Sequence, residues 1–312
     1  MKILAVQNRM GIGDMVIFLP FIESISKKFG VPVSLLVKDS SKADELTKNN
    51  NHIGEILILK RSNSSKKEHD GIKGSLRLIK EIKKKEFHKV FIFNSSLRYK
   101  IIFSLARVGK IYQFPLFQKK NQDFIEESKK LLFKELKLRV ECSPRINLNL
   151  NKIKSKTLKK HILLGIGGSG PTKRISSTKF KKLIELCNIK YDCHFFLGTG
   201  KSPEEQIILN DILKTNEKIC TPLDSLKISE TFPIISQCDL AVCNDTSFSH
   251  ISAALGVNTI VLMSDTPLMY GNYSPFMHPV LPDGIKEITH GSNAKDKINP
   301  QKIFEKVLEL IN

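Results

Sequence analysis

The sequence predicts an α/β protein of two domains, each a mostly parallel sheet covered by helices. Three observations carry that prediction. Short apolar runs of strand type alternate with longer stretches bearing apolar residues at helical spacing along most of the chain. Polar, glycine-containing turns follow several of the strand-type runs, as in Asn8-Arg9-Met10-Gly11-Ile12-Gly13-Asp14 and Gly167-Gly168-Ser169-Gly170. Finally, 312 residues exceed what one hydrophobic core commonly organises, so two units of about 150 residues are expected.

In chain order, residues 2–7 read as a strand, and the helix after them has Asp14 near its start and Gly30 at its stop. Strands are expected within 31–39 and 49–60, with 61–74 polar and mostly loop. Residues 75–85 form a basic helix with Leu76, Ile79 and Ile82 on one face and Arg77, Lys80, Lys83, Lys84 and Lys85 around it. That helix reads either as a solvated charged face or as a surface that rests on anionic lipid. A strand at 90–94, a second basic helix at 97–108, a strand at 111–114, an amphipathic helix at 124–136 and a strand-like 145–150 complete the first domain. Residues 151–160, with five lysines and no apolar periodicity, read as the linker, which puts the boundary between 155 and 156. The second domain follows with strands from 161, at 193–198, 240–243 and 259–263, and helices at 177–187, before Cys238, at 247–255 and at 300–311. The last of these carries Ile303, Val307 and Leu310 on one face.

The formal charge of +19 is uneven: residues 1–160 hold 35 Lys+Arg against 15 Asp+Glu, whereas 161–312 hold 15 against 16. A uniform lysine bias would spread over both halves. The excess is therefore a surface property of the first domain, suited to nucleic acid, an anionic membrane or a phosphorylated acceptor. The six cysteines are scattered, which speaks against a disulfide framework or a metal set, and they are expected to be buried and reduced. No apolar run reaches the roughly 18 residues of a membrane span. The N-terminus reads as a first strand and not as an export signal, so a cytoplasmic location is expected.

The chemistry concentrates in three turns. In 239–262, a strand runs into Asn244-Asp245-Thr246-Ser247 and then a helix, which leaves the N–H groups of Thr246, Ser247 and Phe248 at a helix N-terminus. Such donors, together with the helix dipole, favour a phosphate, although the same residues also read as ordinary helix caps. The turn 167–174 lacks Walker spacing but offers glycines with Lys173 and Arg174, and with Ser169 and Thr172 as hydroxyl donors, suited to a diphosphate. Near the N-terminus, Gly11 and Gly13 supply two glycines of a dinucleotide fingerprint, with Asp39 placed for a ribose and Val16 at the third glycine's position. Asp14 reads as a helix cap or as a base, and the lone helical His250 as a ligand contact or a structural residue.

Asn244, Asp245, Thr246, His250, Ala253, Ala254, Gly256 and Thr259 match the pattern N-D-S/T-G-x-x-H-x-A-A-x-L-G-x-P-T. In this the chain resembles glycosyltransferase family 9, the ADP-heptose:lipopolysaccharide heptosyltransferases. Ser247 stands where the family has glycine, and Asn258 where it has proline. Gly11, Gly13, Asp14 and Pro20 match the family's opening, and Lys173-Arg174 its K-R pair, here followed by Ile175 in place of tryptophan. Gly200 with Glu204 or Glu205 resembles its G-x-x-x-E segment, whose glutamate contacts the nucleoside.

The resemblance, over about residues 1–275, implies GT-B architecture: two doubly wound, Rossmann-like domains facing across a cleft. Residues 1–155 would bind the acceptor and 156–312 the nucleotide-sugar. The activity implied is an inverting glycosyltransferase that moves a heptose or related sugar from an ADP-sugar to a lipopolysaccharide-core or similar glycan. Asp14 is then the general base and Lys173 neutralises the leaving diphosphate, with ADP-heptose as substrate and neither cofactor nor metal. The partners implied are the nucleotide-sugar, an anionic glycolipid or glycan acceptor and a peripheral contact with the inner-membrane surface, and not nucleic acid. A transferase of other specificity, an inactive relative, an NAD-dependent enzyme and a basic nucleic-acid binder remain alternatives; the last lacks interleaved aromatics.

Overall fold

The computed structural model describes residues 1–9, 11–61, 67–116, 123–148 and 159–311. The chain divides into two compact units, Met1–Asn147 and Leu148–Asn312. The expected boundary between 155 and 156, and residues 151–158 of the expected linker, lie outside the described residues.

The first unit runs β1 (Ile3–Gln7), α1 (Ile12–Phe29), β2 (Val33–Val37), α2 (Ala43–Thr47), β3 (Ile53–Ile58), α3 (Gly71–Lys85), β4 (Lys89–Ile92), α4 (Leu97–Leu105), β5 (Lys110–Gln113) and α5 (Phe124–Leu136). All its strand pairs are parallel, in the order β3-β2-β1-β4-β5. β1 is buried along its whole length, which is why ILAVQ reads as a continuous apolar run and not as an alternation. α1 starts at Gly11 and stops at Gly30, whose φ of 67° is left-handed and whose N–H donates to Ser26 O at 2.8 Å.

α3 departs from the expected register. It begins at Gly71, and its buried side is Gly74, Leu78 and Ile82, while Leu76 is 53% exposed. A Cβ on Gly74 would lie 2.3 Å from the His69 carbonyl carbon, so only glycine lets this turn of α3 close on the segment before it. Of the expected face, Ile82 is buried and Ile79 packs partly buried against the same core, while Leu78 is buried in place of Leu76. Residues 145–148 form no strand.

The second unit runs β6 (Lys160–Gly165), α6 (Ser177–Lys190), β7 (Cys193–Gly198), α7 (Pro203–Asn216), β8 (Cys220–Pro222), α8 (Ile228–Ser236), β9 (Leu240–Asn244), α9 (Ser247–Ala254), β10 (Thr259–Leu262), β11 (Met277–Val280) and α10 (Pro300–Leu310). Its sheet is also parallel throughout, in the order β11-β10-β9-β6-β7-β8. α10 packs on α6 and buries Ile303 and Val307; Leu310 is partly buried against the same core, and Ile311, just past the helix, is buried beside it.

Both units are doubly wound. In each, the connections run outward in opposite directions from two central strands, β1 with β4 and β6 with β9. That arrangement opens a crevice beyond the carboxyl ends of those strands, the place where ligands bind in such sheets. The turns singled out in the sequence lie there: 8–9 and 11–14 after β1, 167–174 after β6, and 245–247 after β9.

Among the described residues no helix is long and apolar enough to cross a membrane. All six cysteines are buried free thiols. Burial pushes the Cys142, Cys187, Cys220 and Cys243 thiols up to about 12 and Cys193 up to about 11, so little thiolate exists near neutral pH. A thiol titration with an aromatic disulfide reagent at pH 8 is therefore expected to proceed slowly on the native protein and to count six thiols after denaturation. Rapid labelling of the native form would contradict the packing described.

Candidate active site

The site of the second unit is assembled where the turn after β6 meets the end of β9. Asn244, fully buried, donates from Nδ2 to Ile166 O at 2.9 Å and to Gly167 O at 3.0 Å, which ties the two turns together. Lys173 Nζ then reaches Asp245 Oδ2 at 3.1 Å. Thr266 Oγ1 donates to the same oxygen at 2.5 Å, and His250 Nε2 lies 3.6 Å from Oδ1. Asp245 is 5% exposed. Burial alone would raise its pKa, but His250, Lys173 and Thr266 together outweigh burial and hold the carboxyl well below the usual carboxylate range.

His250 is fixed from both ends. Its Nδ1 is 2.8 Å from the Tyr273 hydroxyl, and the two rings stack at 5.7 Å with an interplanar angle of 14°. A carboxylate at Nε2 and a phenol at Nδ1 suit the ring with its proton on Nε2 and Nδ1 accepting. Asp245 thus acts as an anchor inside the protein, holding Lys173 and His250 in place.

The capping reading of Thr246 fits only its backbone. Thr246 is the N-cap of α9, yet its side chain makes no cap bond, and Oγ1 is buried without a partner. Thr199 Oγ1 and Asn244 Oδ1 share that condition at the ends of β7 and β9. Unpaired buried acceptors and hydroxyls cost about 1–3 kcal/mol each, and such positions mark places that a ligand or water completes. The N–H groups of Ser247 and Phe248, at the start of α9, add donors there, whereas that of Ser249 donates to Thr246 O at 3.1 Å. Ser247 is partly exposed, while Phe248 is buried with its ring where a Cβ on Gly198 would fall, 2.9 Å away. The Phe248 side chain is therefore a packing residue, held against Gly198.

The turn after β6 divides its candidates. Ser169 is exposed at the crest. The Thr172 hydroxyl proton is committed to Asp265 Oδ2 at 2.6 Å, and Ser264 Oγ donates to Thr172 O at 2.9 Å, so Thr172 anchors the turn. Of the two glutamates, Glu204 is exposed, whereas Glu205 accepts from Gly168 N at 2.9 Å. A Cβ on Gly167 or on Gly200 would lie 2.4 Å from the Glu205 carboxylate, so the two glycines make room for it between the turns after β6 and β7.

In the first unit, Asp14 sits in the opening turn of α1 with its side chain 18% exposed. Its Oδ1 accepts from Arg9 Nε at 2.6 Å and its Oδ2 from Gly11 N at 3.2 Å. It therefore caps the helix and still reaches solvent. The Arg9 guanidinium lies 4.3 Å over the Phe124 ring. Gly13 is buried in the same turn, and Val16, at the third glycine's position of a dinucleotide fingerprint, is fully buried. Amides line the neighbouring strand ends: Asn94 Nδ2 donates to Asn8 Oδ1 at 3.1 Å, and Gln113 Nε2 to Asn94 O at 3.0 Å.

Sequence reasoning assigned no role to Arg9, Thr266, Tyr273 or Asp265. The signal available for the last three was their place in the polar stretch directly after β10, whose carboxyl end opens on the same crevice. Among the described residues no group of three or more His, Cys, Asp or Glu side chains is placed to hold a metal ion.

The sequence model of Glycosyltransferase family 9 (heptosyltransferase) matches residues 76–306, which includes the second-unit residues of the candidate site and leaves out Asp14, Gly11 and Gly13. No curated protein matches the sequence. Among solved structures, E. coli ADP-heptose lps heptosyltransferase II is similar at TM-score 0.74 and 15% identity, covering 100% of this chain and 98% of its own. The family 9 glycosyl transferase from Veillonella parvula DSM 2008 gives TM-score 0.76 and 16% identity, covering 99% and 97%. E. coli heptosyltransferase WaaC with ADP gives 0.72 and 13%, covering 99% of each chain. With the family model spanning well over half the sequence and the fold shared end to end, the chain belongs to glycosyltransferase family 9, the heptosyltransferase family, and is a glycosyltransferase.

Proposed function

We propose that the protein transfers a heptose or closely related sugar from an ADP-sugar to a hydroxyl of a lipopolysaccharide-core or similar anionic glycan, with inversion, on the cytoplasmic side of the inner membrane. The observation that supports this most is the Lys173–Asp245 pair beside the N-terminus of α9, at the crevice of the second sheet. A diphosphate placed there meets one ammonium, the helix dipole, the first-turn N–H groups and the Thr246 hydroxyl. Glu205, between the turns after β6 and β7, is positioned to accept from ribose hydroxyls. Ser169 is the remaining hydroxyl donor of its turn.

In the displacement, an acceptor oxygen attacks the anomeric carbon while the bond to the diphosphate breaks, and the departing oxygen takes the electron pair. Lys173 and α9 stabilise the charge that develops there. The acceptor hydroxyl loses its proton to Asp14, whose two oxygens are oriented by Arg9 and Gly11 N. The first unit is then the acceptor-binding domain. Positive charge for the leaving group comes from the chain itself, and the reaction so written needs no cofactor.

Incubation with a panel of ADP-, UDP- and GDP-sugars and a truncated core glycan, read by mass spectrometry, is expected to show transfer from the ADP-heptose donor. Transfer only from another nucleotide-sugar, or from none, would overturn the proposal. Asp14→Ala is expected to lower turnover by about 2–4 powers of ten with donor affinity retained, in stopped assays at saturating donor. Unchanged turnover in the folded variant would remove Asp14 as the base.

Asp245 yields a stability prediction. Its folded-state pKa is depressed, so its stabilisation is fully present above the unfolded pKa and is lost as pH falls from about 4 through the lower folded value. Urea unfolding of Asp245→Ala should therefore show a deficit of about 3 kcal/mol at pH 7 that narrows below about pH 4. A deficit that grows in acid would contradict the sign.

A further inference from the structure

α3 and α4 cover the same side of the first sheet, because Leu78 and Ile82 of one and Tyr99, Ile102 and Phe103 of the other share a single core cluster with Leu4, Val6, Val90 and Ile92. The two helices pack side by side, and Arg98 Nε of α4 donates to Ser75 Oγ of α3 at 3.0 Å. Their opposite faces therefore point away from the sheet. On α4 that face carries Leu97, Ile101 and Leu105, spaced i, i+4, i+8 as one helical stripe and 55%, 48% and 58% exposed. α3 adds Ile72 at 83% and Leu76 at 53%. Of the twelve large apolar side chains exposed among the described residues, these two helices hold five, so the exposure is concentrated and not scattered.

The charge around the stripe has one sign. Arg77, Lys80 and Lys84 of α3 and Lys100 of α4 are exposed, as is Arg107 just beyond α4. α3 holds a single acid, Glu81, paired with His69 Nε2 at 3.1 Å, and from residue 87 to residue 122 the sequence contains no Asp or Glu at all. Aliphatic side chains set among long cationic ones suit the boundary between headgroups and acyl chains, where the stems lie along apolar surface and the charges meet phosphates. A nucleic-acid surface would call for aromatic side chains on which bases stack, and none of the five exposed apolar residues is aromatic.

We propose that the outer face of α3 and α4 seats the first unit on an anionic phospholipid bilayer, with Leu97, Ile101 and Leu105 entering the interface and the surrounding lysines and arginines on lipid phosphates. Neither helix supplies a residue to the transfer chemistry, so the two readings fail separately.

Vesicle co-sedimentation tests this, using phosphatidylcholine vesicles with and without about one-third phosphatidylglycerol. The wild-type chain is expected to bind the anionic vesicles, to release them as salt rises, and to leave neutral vesicles largely unbound. Leu97→Ser with Ile101→Ser and Leu105→Ser should weaken binding at least about tenfold. Lys80→Glu with Lys84→Glu should weaken it to a similar degree, since each cation near an anionic surface is worth roughly fivefold. Ile189→Ser with Ile207→Ser, exposed positions of the second unit, should leave vesicle binding unchanged. ADP affinity, measured in parallel, should be the same in all of these variants. Should the triple variant unfold in a thermal melt, the Lys80/Lys84 pair, exposed on both positions, decides the matter. Equal binding to neutral vesicles, no binding to anionic ones, or indifference to both sets of substitutions would overturn the proposal. So would tighter binding to random-sequence RNA at physiological salt that ignores the apolar substitutions.

Discussion

A buried carboxylate holds the second unit's site in shape. Asp245 is almost wholly removed from water, and an ionised carboxyl survives there only because Lys173, Thr266 and His250 converge on it. Each of those partners comes from a different segment: the turn after β6, the stretch after β10, and the body of α9. Satisfying one charge therefore fixes three pieces of chain around the N-terminus of α9. The ammonium that results is positioned by a buried partner and not by a surface ion pair, and its side chain keeps some exposure, 23%.

The sheet topology decides where that constraint can operate. In a parallel sheet every strand points its carboxyl end the same way, so the turns that follow β6, β7, β9 and β10 share one edge. Glycine at Gly165, Gly167, Gly198 and Gly200 lets that edge close: Cys243, Phe248 and the Glu205 carboxylate occupy the space that a Cβ would take. Such close packing leaves three buried atoms at this edge, on Thr199, Asn244 and Thr246, without a partner. The first unit repeats the plan in a smaller form, with Asp14 at the end of β1 and an amide-lined rim nearby.

How much of this was legible in the sequence follows from the range of each interaction. Long elements with strong apolar periodicity, such as α5, β7 and α10, are written locally and read within a residue or so of their ends. α2, β8 and β11 are three to five residues long, too short for a period to show, and the sequence gives no notice of them. α7, though longer, buries only Leu209 and Ile212, so its stripe is faint. α3 illustrates a tertiary override: Leu78 is buried in place of the expected Leu76, on a helix whose Gly74 closes on His69. The site divides along the same line. Lys173, Asp245 and His250 lie in turns recognisable by residue type, whereas Thr266 and Tyr273 meet them only through the fold. Thr172, expected as a free donor, spends its proton on Asp265, a partner 93 residues away in the chain.

The claim at the centre is that Lys173, held by Asp245, binds the diphosphate of the donor nucleotide. Calorimetric titration of the wild-type protein and of Lys173→Ala with ADP and with adenosine tests it most directly. ADP should bind the wild-type chain, and the substitution should weaken ADP at least about tenfold, the loss expected of one charge-assisted hydrogen bond, while leaving adenosine binding unaltered. ADP affinity that survives the loss of the ammonium undiminished would contradict the account.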